Sequence, residues 1–571
     1  MGWVLLIHPP VSKPCEPPAG IARLAGFLGE QGVPCEVVDA NTEGLHFLLH
    51  AALRGETARH GENDVPGGEG GRGNPGAGKT GGGLCPTAGD TWTKRARRNL
   101  THHLRDLRSR AIYGQRDRYR RAVADLGRIL ACLTPRPEIA VGLADYQDGG
   151  LSPLRSRDLL FAAAHPERNP FYPYFRERLA LRLQAVPPDS LLGISVNYLS
   201  QALCAFAMIG FLRACRPQAR IVLGGSLVTS WMRQPQWRNP FGGLVDHLVA
   251  GPGEEPLLAL MKNGGLREAH DTGIGAGGYG EGGEGEHPVA AVSCPDYRFF
   301  PRELYLAPGL ILPYSAATGC YWRRCRFCPE TAENNPYRPL PLERVFTDLE
   351  RLREELQPVL VHFLDNALSP ALLTALSRRP LGVPWYGFAR ITERLADPGF
   401  CRRLRHRGCV MLKLGLESGD QQVLNALDKG IEVATAARVL RSLKEAGIAA
   451  YVYLLFGTPA EDREAARRTL EFVAAHSAHI AFLNIAVFNM PVFAAAAAGL
   501  PTRCFSAADL SLYLDFTHPR GWNRREVRRF IAGEVRKEPA VAAILKRTPP
   551  VFTSNHAPFS AGDGGRFSLP F

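Results

Sequence analysis

The 571-residue sequence has no long uninterrupted apolar run, which argues against a membrane span. The longest candidate, IAFLNIAVFNMPVFAAAAAGL, is broken by Asn484, Asn489 and Pro491, and it favours a buried strand followed by an alanine-rich segment. The opening residues, MGWVLLIHPPVSKP, lack the basic flank and the apolar length of a signal peptide. Because thirteen cysteines at irregular spacings indicate reduced thiols, we expect a cytoplasmic protein.

The sequence also lacks a basic run interleaved with aromatic residues, the pattern that binds single-stranded nucleic acid. Its net charge of +13 comes largely from arginine in segments with a helical pattern, such as RNLTHHLRDLRSR. Solvent-facing helix surfaces account for such a charge. We therefore expect no nucleic-acid partner.

Two glycine-rich tracts contain few apolar residues and divide the chain. The first, at about residues 55–92, cannot bury enough apolar surface to fold alone, so we predict a disordered insertion. Within it, residues 73–80 match the Walker A pattern letter for letter. No strand or helix pattern flanks them, and we interpret the match as coincidental. The second tract, at residues 263–300, is typical of a linker.

The first part of the chain alternates apolar strand patterns with amphipathic helix patterns. WVLLI, PCEVVD, LLGISV, ARIVLGG and DHLVA are the strands, and residues 1–262 are predicted to form a doubly wound, Rossmann-like α/β domain. Ligands of such sheets bind at the carboxyl ends of the strands. Those ends carry Asn41, Ser195, residues 224–226 and residues 251–254.

The second part repeats strand and helix units of the size found in a parallel barrel. Residues 301–497 predict a full or partial TIM-type (β/α) barrel, and residues 498–571 a helical carboxyl-terminal extension. After the strand AAYVYLLFG, the residues Thr458 and Glu461 flank a proline and predict a helix start. One helix is expected between CVMLKLGLESG and Gly447.

Three cysteines, Cys320, Cys325 and Cys328, follow the first barrel strand within nine positions. A structural zinc ion needs four ligands, usually in two pairs, and the remaining cysteines are isolated. Three thiolates suit a 4Fe-4S cluster, because one iron is left open for another ligand. Unrelated core cysteines would lie among aliphatic residues, whereas CYWRRCRFC is polar. We favour the cluster, with zinc and the core residues as the alternatives.

The ordered motifs of the second half resemble those of radical S-adenosylmethionine (SAM) enzymes that carry a cobalamin-binding domain. The cysteines match the cluster ligands in a CxxxxCxxC variant, with one residue more than usual between the first two. That residue adds at most about 3.5 Å of reach, which a loop can absorb as a bulge. The resemblance implies that Phe327 packs on the adenine of SAM. It implies further contacts with SAM at Arg390, Glu417 and Ser418, and at Asp365 and Asn366, where the usual Gly-Gly-Glu is absent.

The first half resembles the cobalamin-binding domain of this family. DANTEG, residues 39–44, stands where such domains carry Asp-x-His-x-x-Gly, with Asn41 in place of the histidine. Because an amide is a poor cobalt ligand, the resemblance implies cobalamin without a protein histidine on cobalt. An ordinary turn residue is the alternative interpretation of Asn41. The loops implied to hold the corrin and its nucleotide tail carry Ser195, Gly224, Gly225, Ser226 and Glu254.

The resemblance implies reductive cleavage of SAM to a 5′-deoxyadenosyl radical, with radical C-methylation as the leading hypothesis. Cobalamin-associated cyclisation or rearrangement is one alternative, and a non-catalytic cobalamin or iron–sulfur sensor is another. The expected partners are a small-molecule or peptide substrate and an electron donor such as flavodoxin or ferredoxin. Near the carboxyl terminus, Asn555 and His556 are candidates to close over the barrel, or are structural.

Overall fold

The computed structural model describes residues 2–54, 90–134, 136, 138–234, 237–262, 274–275, 293–494, 499–505, 508–552 and 554–560. Most of the two glycine-rich tracts, including the Walker-like residues 73–80, lies outside these ranges. None of the helices in the described ranges is both long and apolar enough to span a bilayer.

The first sheet has six parallel strands in the order β2-β1-β3-β4-β5-β6. Their apolar runs are buried, because helices such as Ala19–Glu30 and Leu199–Cys215 cover the sheet. This confirms the doubly wound fold expected for the first half. The strands are β1 (Val4–Ile7), β2 (Cys35–Val38), β3 (Leu191–Ser195), β4 (Arg220–Gly224), β5 (His247–Ala250) and β6 (Ile274–Gly275).

A helical insertion separates β2 from β3. A short antiparallel pair, Ile139–Val141 with Tyr146–Asp148, lies within it. Two helices, Ser226–Met232 and Glu254–Lys262, follow β4 and β5 outside the insertion. The α-helices described in the insertion are Ala40–Leu53, Thr91–Arg98, Leu100–Leu107, Arg116–Ala131, Ser156–Ala164, Tyr172–Tyr174 and Ala180–Ala185.

The second sheet also has six parallel strands, in the order β12-β11-β10-β9-β8-β7. In the described ranges, the two edge strands of this sheet do not pair with each other. The sheet is therefore a partial barrel, as expected. The strands are β7 (Ile311–Tyr314), β8 (Leu360–Phe363), β9 (Trp385–Ala389), β10 (Cys409–Glu417), β11 (Ala449–Phe456) and β12 (Phe482–Val487). The helices are Leu342–Leu356, Pro370–Leu376, Pro398–His406, Gln421–Ala426, Val433–Ala446 and Arg463–Ala475.

Two expectations for the barrel helices are wrong. The helix after β11 begins at Arg463, because Asp462 caps it and accepts from the N–H of Ala465. Thr458 and Glu461 instead form a turn in which the N–H of Glu461 donates to the Thr458 carbonyl, 2.9 Å away. The segment after β10 forms two helices rather than one. They are separated at residues 427–432, where Asp428 and Gly430 take positive φ angles of 50° and 63°.

The carboxyl-terminal region adds three short antiparallel strands and two helices. Their bounds are Met490–Pro491, Thr502–Cys504, Tyr513–Phe516, Arg524–Phe530 and Pro539–Arg547. The last described segment packs under the barrel floor, where the His556 ring stacks on Tyr451 at 4.9 Å. His556 therefore contacts the floor, not the mouth. The side chain of Asn555 lies outside the described residues.

Candidate active site

The loop that carries the three cysteines begins after β7 and is fixed along its length. Ala317–Thr318 pairs antiparallel with Arg338–Pro339. The loop leads into the short helix Pro329–Ala332. Between these points, the N–H of Arg326 donates to the carbonyl of Leu427, 3.1 Å away. The loop therefore docks on the segment that follows β10.

The four residues between the first two cysteines form a local turn that accommodates the extra position. Arg323 has a φ of 48°, and its guanidinium donates to Asn334 Oδ1 at 2.8 Å. The indole N–H of Trp322 donates to the carbonyl of Asp428 at 3.1 Å. The longer spacing therefore brings an aromatic side chain onto the turn after β10.

Trp322 also joins the cysteine loop to Arg390. The guanidinium carbon of Arg390 lies 3.9 Å from the centre of the Trp322 ring, and Arg390 Nη1 lies 3.9 Å from Cys325 Sγ. The other terminal nitrogen of Arg390 donates to the carbonyl of Lys429. A Cβ at Gly430 would lie 2.2 Å from the Trp322 ring, so only glycine leaves room for this packing.

Two cations influence the thiol of Cys325. Burial raises the pKa of Cys325, and Lys429 and Arg390 oppose that rise. Burial also raises the pKa of Cys328, to about 11. Since metals bind the thiolate form, the two cations favour the ligating state of Cys325.

Glu417 ends β10 in a strained conformation and pairs with the same turn. Its φ of 66° is uncommon for a residue other than glycine. Its carboxylate lies 2.7 Å from Lys429 Nζ, which in turn lies 5.2 Å from the centre of the Phe327 ring. A Cβ at Gly415 would lie 2.5 Å from Glu417 Oε1, so the pair occupies space that a side chain would take. Such strain is concentrated at functional sites.

Asp365 and Asn366 follow β8 and hold the start of the cysteine loop. Asp365 Oδ2 accepts from the N–H of Ala316 at 3.0 Å, and Asn366 Nδ2 donates to the carbonyl of Gly319 at 3.3 Å. Burial raises the pKa of Asp365 to about 6, and backbone N–H groups oppose the rise. Their contact with SAM stays a prediction.

Ser418 directs its side chain into the fold. It is completely buried, and its hydroxyl lies 3.0 Å from Thr469 Oγ1 on the helix Arg463–Ala475. The same hydroxyl accepts from the N–H of Asp420 at 3.1 Å. Any contact of Ser418 with SAM would therefore come from its backbone.

The three thiols are not arranged around a single metal ion. In the described part of the chain, no group of three or more His, Cys, Asp or Glu side chains is placed to hold one ion. A 4Fe-4S cluster binds its thiolates through separate irons, so its ligands need not converge on one point.

A cavity of about 530 Å³ lies between the carboxyl edge of the first sheet and the cysteine loop. This volume is in the range of ligand pockets. On the loop side it is lined by Gly319 and Pro329, the neighbours of Cys320 and Cys328. On the sheet side it is lined by the predicted residues Ser195, Gly224, Gly225, Ser226 and Glu254. The cavity therefore lies between the loops predicted to hold the corrin and the loop that carries the cysteines, although the cysteines are not among its lining residues.

The sheet side of the cavity combines glycines with apolar side chains such as Leu24 and Leu257. A Cβ at Gly20 or at Gly251 would meet nothing within 4 Å. Gly251 has a φ of 78°, which favours glycine. A large ligand can therefore approach the sheet edge closely.

Asn197 and Thr229, which the sequence did not point to, shape this edge. Asn197 Nδ2 donates to Ser195 Oγ at 3.1 Å, and its Oδ1 accepts from the N–H of Ser226 at 3.0 Å. The Thr229 hydroxyl accepts from the N–H of Gly251 at 2.9 Å. The only signal for Asn197 in the sequence is that it is a polar residue two positions after the end of β3.

Hydrogen bonds and an ion pair join the first half of the chain to the barrel beside the cavity. Ser230 Oγ donates to Glu333 Oε1 at 2.9 Å, and Arg233 Nη1 lies 3.7 Å from Glu333 Oε2. Arg233 also donates to the side chain of Asn335. The segment after the third cysteine is thereby tied to the helix Ser226–Met232.

Asn41 lies apart from this cavity. It is 2% exposed and belongs to the first turn of the helix Ala40–Leu53, which Asp39 caps. Its Oδ1 accepts from the N–H of Ser12 at 2.8 Å. It is absent from the lining residues, and its contact with a corrin stays a prediction.

Comparisons with known proteins agree with the cysteine motif. Residues 314–473 match the profile of the family described as the radical SAM superfamily. The chain is 26% identical over 277 residues to an uncharacterised methyltransferase of Pyrococcus horikoshii, covering 44% of this chain and 57% of that protein. It is 24% identical over 323 residues to the anaerobic magnesium-protoporphyrin IX monomethyl ester cyclase of Cereibacter sphaeroides. That match covers 51% of this chain and 50% of the cyclase. The chain thus spans about half the length of these curated relatives.

The solved structures to which this structure is similar include those of two enzymes. The radical SAM methyltransferase TsrM from Kitasatospora setae, with cobalamin and a 4Fe-4S cluster bound, has a TM-score of 0.49 at 14% identity. The match covers 90% of this chain and 85% of that chain. The cobalamin-dependent SAM radical enzyme OxsB, with aqua-cobalamin bound, has a TM-score of 0.48 at 13% identity. That match covers 96% of this chain and 57% of the OxsB chain.

Proposed function

Because the chain carries a radical SAM domain at residues 314–473, we propose that it is an enzyme that cleaves SAM reductively and methylates a carbon atom with the help of cobalamin. The observation that carries the proposal is the cavity of about 530 Å³, with the cysteine loop on one wall and the glycine-lined sheet edge on the other. Two cofactors on opposite walls of one cavity would act on the same substrate.

The cysteine loop fits a 4Fe-4S cluster by its donors and its surroundings. Cys320, Cys325 and Cys328 supply three thiolates, which leaves one iron open to SAM. When bound, the cluster supplies the electron that cleaves SAM to the 5′-deoxyadenosyl radical. Arg390 and Lys429 place positive charge beside Cys325 and hold the loop against the turn after β10.

The sheet edge fits a large cofactor that approaches the backbone. When bound there, cobalamin supplies the methyl group. Ser195 and Ser226 place hydroxyl groups on the wall, and Asn197 fixes their loops. Glu254 pairs with Arg23 at 2.5 Å and anchors this wall to the first helix.

Radical cyclisation is a second candidate function. The relative from Cereibacter sphaeroides named as a cyclase favours it, at 24% identity over 51% of this chain. Both candidates use the same cavity and differ in product mass. Methylation replaces one hydrogen by a methyl group, so the product gains one CH₂, whereas cyclisation adds no carbon.

The test is anaerobic reconstitution of the full chain with iron, sulfide and cobalamin, followed by reduction in the presence of SAM. We expect about four irons, bound cobalamin and 5′-deoxyadenosine. Cys325→Ala should lose iron and 5′-deoxyadenosine, whereas Cys504→Ala, at an exposed cysteine, should lose neither. A protein that binds both cofactors and never cleaves SAM would be a sensor, and the proposal would be wrong.

A further inference from the structure

A row of charged and polar side chains lies inside the barrel, below the mouth. Successive residues of a strand face opposite sides, so Lys413 and Glu417 of β10 share the inward face. The two residues are four positions apart, about 13 Å along the strand. Phe388 lies on β9, and Arg390, the residue that follows this strand, contacts the cysteine loop. Lys413 therefore lies deeper in the barrel than the residues at the mouth.

Lys413 begins a hydrogen-bonded row that crosses from the barrel to the first half. Its ammonium donates to His362 Nε2 at 2.9 Å. Because that nitrogen accepts, the proton of the imidazole is on Nδ1, which donates to Glu16 Oε2 at 2.9 Å. Glu16 belongs to the loop between β1 and the first helix. The first half of the chain thus orients a lysine inside the barrel.

The ammonium of Lys413 has donors that the protein does not use. The residue is 4% exposed, and a lysine ammonium has three N–H groups. Among the described residues, only His362 accepts a hydrogen bond from it. The ring centres of Tyr386 and Phe388 each lie 5.0 Å from Nζ, so aromatic faces flank the charge. A buried cation with unused donors is costly unless another acceptor pairs with it.

The side chains on the strands beside Lys413 leave part of the barrel interior accessible. Phe388, Tyr453 and Asn484, which face inward on neighbouring strands, are only half-buried. The rings of Phe388 and Tyr453 lie 5.0 Å apart and form an aromatic wall. The ligand that fits is a molecule with a flat apolar body and one acidic group.

The charge of the site favours a single negative charge on that ligand. The groups that act on Lys413 are Lys13, Cys15 and Glu16 from the β1 loop, with His362 from β8 and Tyr386 from β9. Burial lowers the pKa of Lys413 to about 8, and Glu16 opposes the fall, so the amine is charged at neutral pH. Lys413 and Lys13 with the one carboxylate of Glu16 leave a single net positive charge, which suits a carboxylate ligand better than a doubly charged phosphate.

We propose that Lys413 binds a carboxylate of the enzyme's substrate inside the barrel, and that His362 and Glu16 are positioning residues for it. This assignment rests on the proposed function for the location of the reaction, and it adds the class of substrate: an apolar, planar molecule with a carboxylate.

The test uses the small number of lysines, nine in the full chain. Lysine labelled with ¹³C at Cε yields few signals, and Lys413→Met assigns the one of interest. The probes are phenylacetate and its neutral analogue phenylacetamide, added to the full-length protein with its oxidised cluster. Phenylacetate should raise the pKa of Lys413 by about one unit or more, because an opposite charge favours the ammonium. Phenylacetamide should not, and the signal of the exposed Lys444 should not move.

The positioning residues are tested by the same signal. Glu16→Gln should lower the pKa of Lys413 and weaken phenylacetate binding, whereas Glu255→Gln, at an exposed position, should change neither. Lys413→Arg should retain part of the phenylacetate binding that Lys413→Met loses. Equal responses to the two probes, or no response of Lys413, would overturn the proposal. The assay needs no SAM cleavage, so formation of 5′-deoxyadenosine without phenylacetate binding refutes this inference alone.

Discussion

The two walls of the cavity are built in opposite ways. On the barrel wall, charged and aromatic side chains interlock: Arg390 contacts Cys325 and Trp322, and Lys429 pairs with Glu417. On the sheet wall, glycines and small hydroxyl residues lie among apolar side chains, and Gly20 and Gly251 leave space beside the backbone. A cluster with bound SAM needs fixed charges and ligands, whereas a large, flat cofactor needs a surface that side chains do not obstruct. Substitutions in the barrel wall should therefore lower the free energy of unfolding. Substitutions in the sheet wall should weaken cofactor binding without lowering stability.

The largest effect is expected for Lys429→Met. The change leaves the carboxylate of Glu417 without its partner, and both side chains are about one-tenth exposed. Breaking a buried pair in this way costs about 3–5 kcal/mol. Chemical denaturation should show this loss in the free energy of unfolding, whereas Lys444→Met, at an exposed lysine, should change little. Equal stability of the two variants would mean that the pair contributes nothing to the barrel wall.

The next effect is a pH dependence at Glu461, in the turn after β11. Burial raises the pKa of Glu461 to about 7, and hydrogen bonds from Gly457 and Trp522 oppose the rise. Because the folded pKa lies above the unfolded value, this group stabilises the fold at acidic pH. The contribution is lost as pH rises from about 4.5 through 7.

The lost contribution amounts to about 3 kcal/mol. Glu461→Gln stays uncharged, so its free energy of unfolding should vary less between pH 5 and pH 8 than that of the wild-type protein. Glu432→Gln, at an exposed glutamate, is the control and should keep the wild-type pH dependence. A Glu461→Gln variant with the full wild-type dependence would contradict the assignment.

A smaller effect is expected from a methyl group at Gly430. Gly430→Ala places a Cβ where the Trp322 ring lies, whereas Gly447→Ala meets only Arg405 Nε, at 3.7 Å. Both glycines have positive φ angles, of 63° and 72°, so the backbone strain is matched. Gly430→Ala should cost about 2 kcal/mol more than Gly447→Ala, the usual scale of overpacking. It should also alter the electron paramagnetic resonance spectrum of the reduced cluster.

The smallest effect, and the one confined to the sheet wall, is expected for Gly20→Leu. Gly20 lines the cavity near the start of a helix, and a Cβ there meets nothing within 4 Å. The leucine should weaken cobalamin binding about tenfold, or about 1.4 kcal/mol, without lowering stability. Gly29→Leu, at an exposed position of the same helix, should leave binding unchanged. Equal cobalamin affinity of the two variants would exclude this wall as the cofactor surface.

The contrast between the walls also explains what the sequence could and could not predict. The cysteines lie close together in the chain, so their shared role was visible in their spacing, as was the alternation of strands and helices. The partners of Trp322 and Arg390 lie 106 and 39 residues away, at Asp428 and Lys429, and such contacts have no local pattern. The break after Ala426 was missed because the apolar periodicity continues on both sides of it.

Two site residues show the same limit. Asn41 occupied the position of a cofactor ligand in the motif, yet its side chain accepts from the backbone of Ser12. Ser418 follows the strand end as expected, but its hydroxyl faces Thr469. Chain position predicted where these residues lie. The direction of each side chain depended on tertiary contacts that the sequence does not display.

The central claim is that the cysteine loop and the sheet edge hold two cofactors on facing walls of one cavity. It is tested most directly by electron paramagnetic resonance of the protein loaded with cob(II)alamin, before and after reduction of its cluster. We predict that reduction broadens or splits the cobalt signal through spin coupling, and that Cys325→Ala abolishes this change. A spectrum that is the plain sum of an isolated cobalt centre and an isolated cluster would contradict the account.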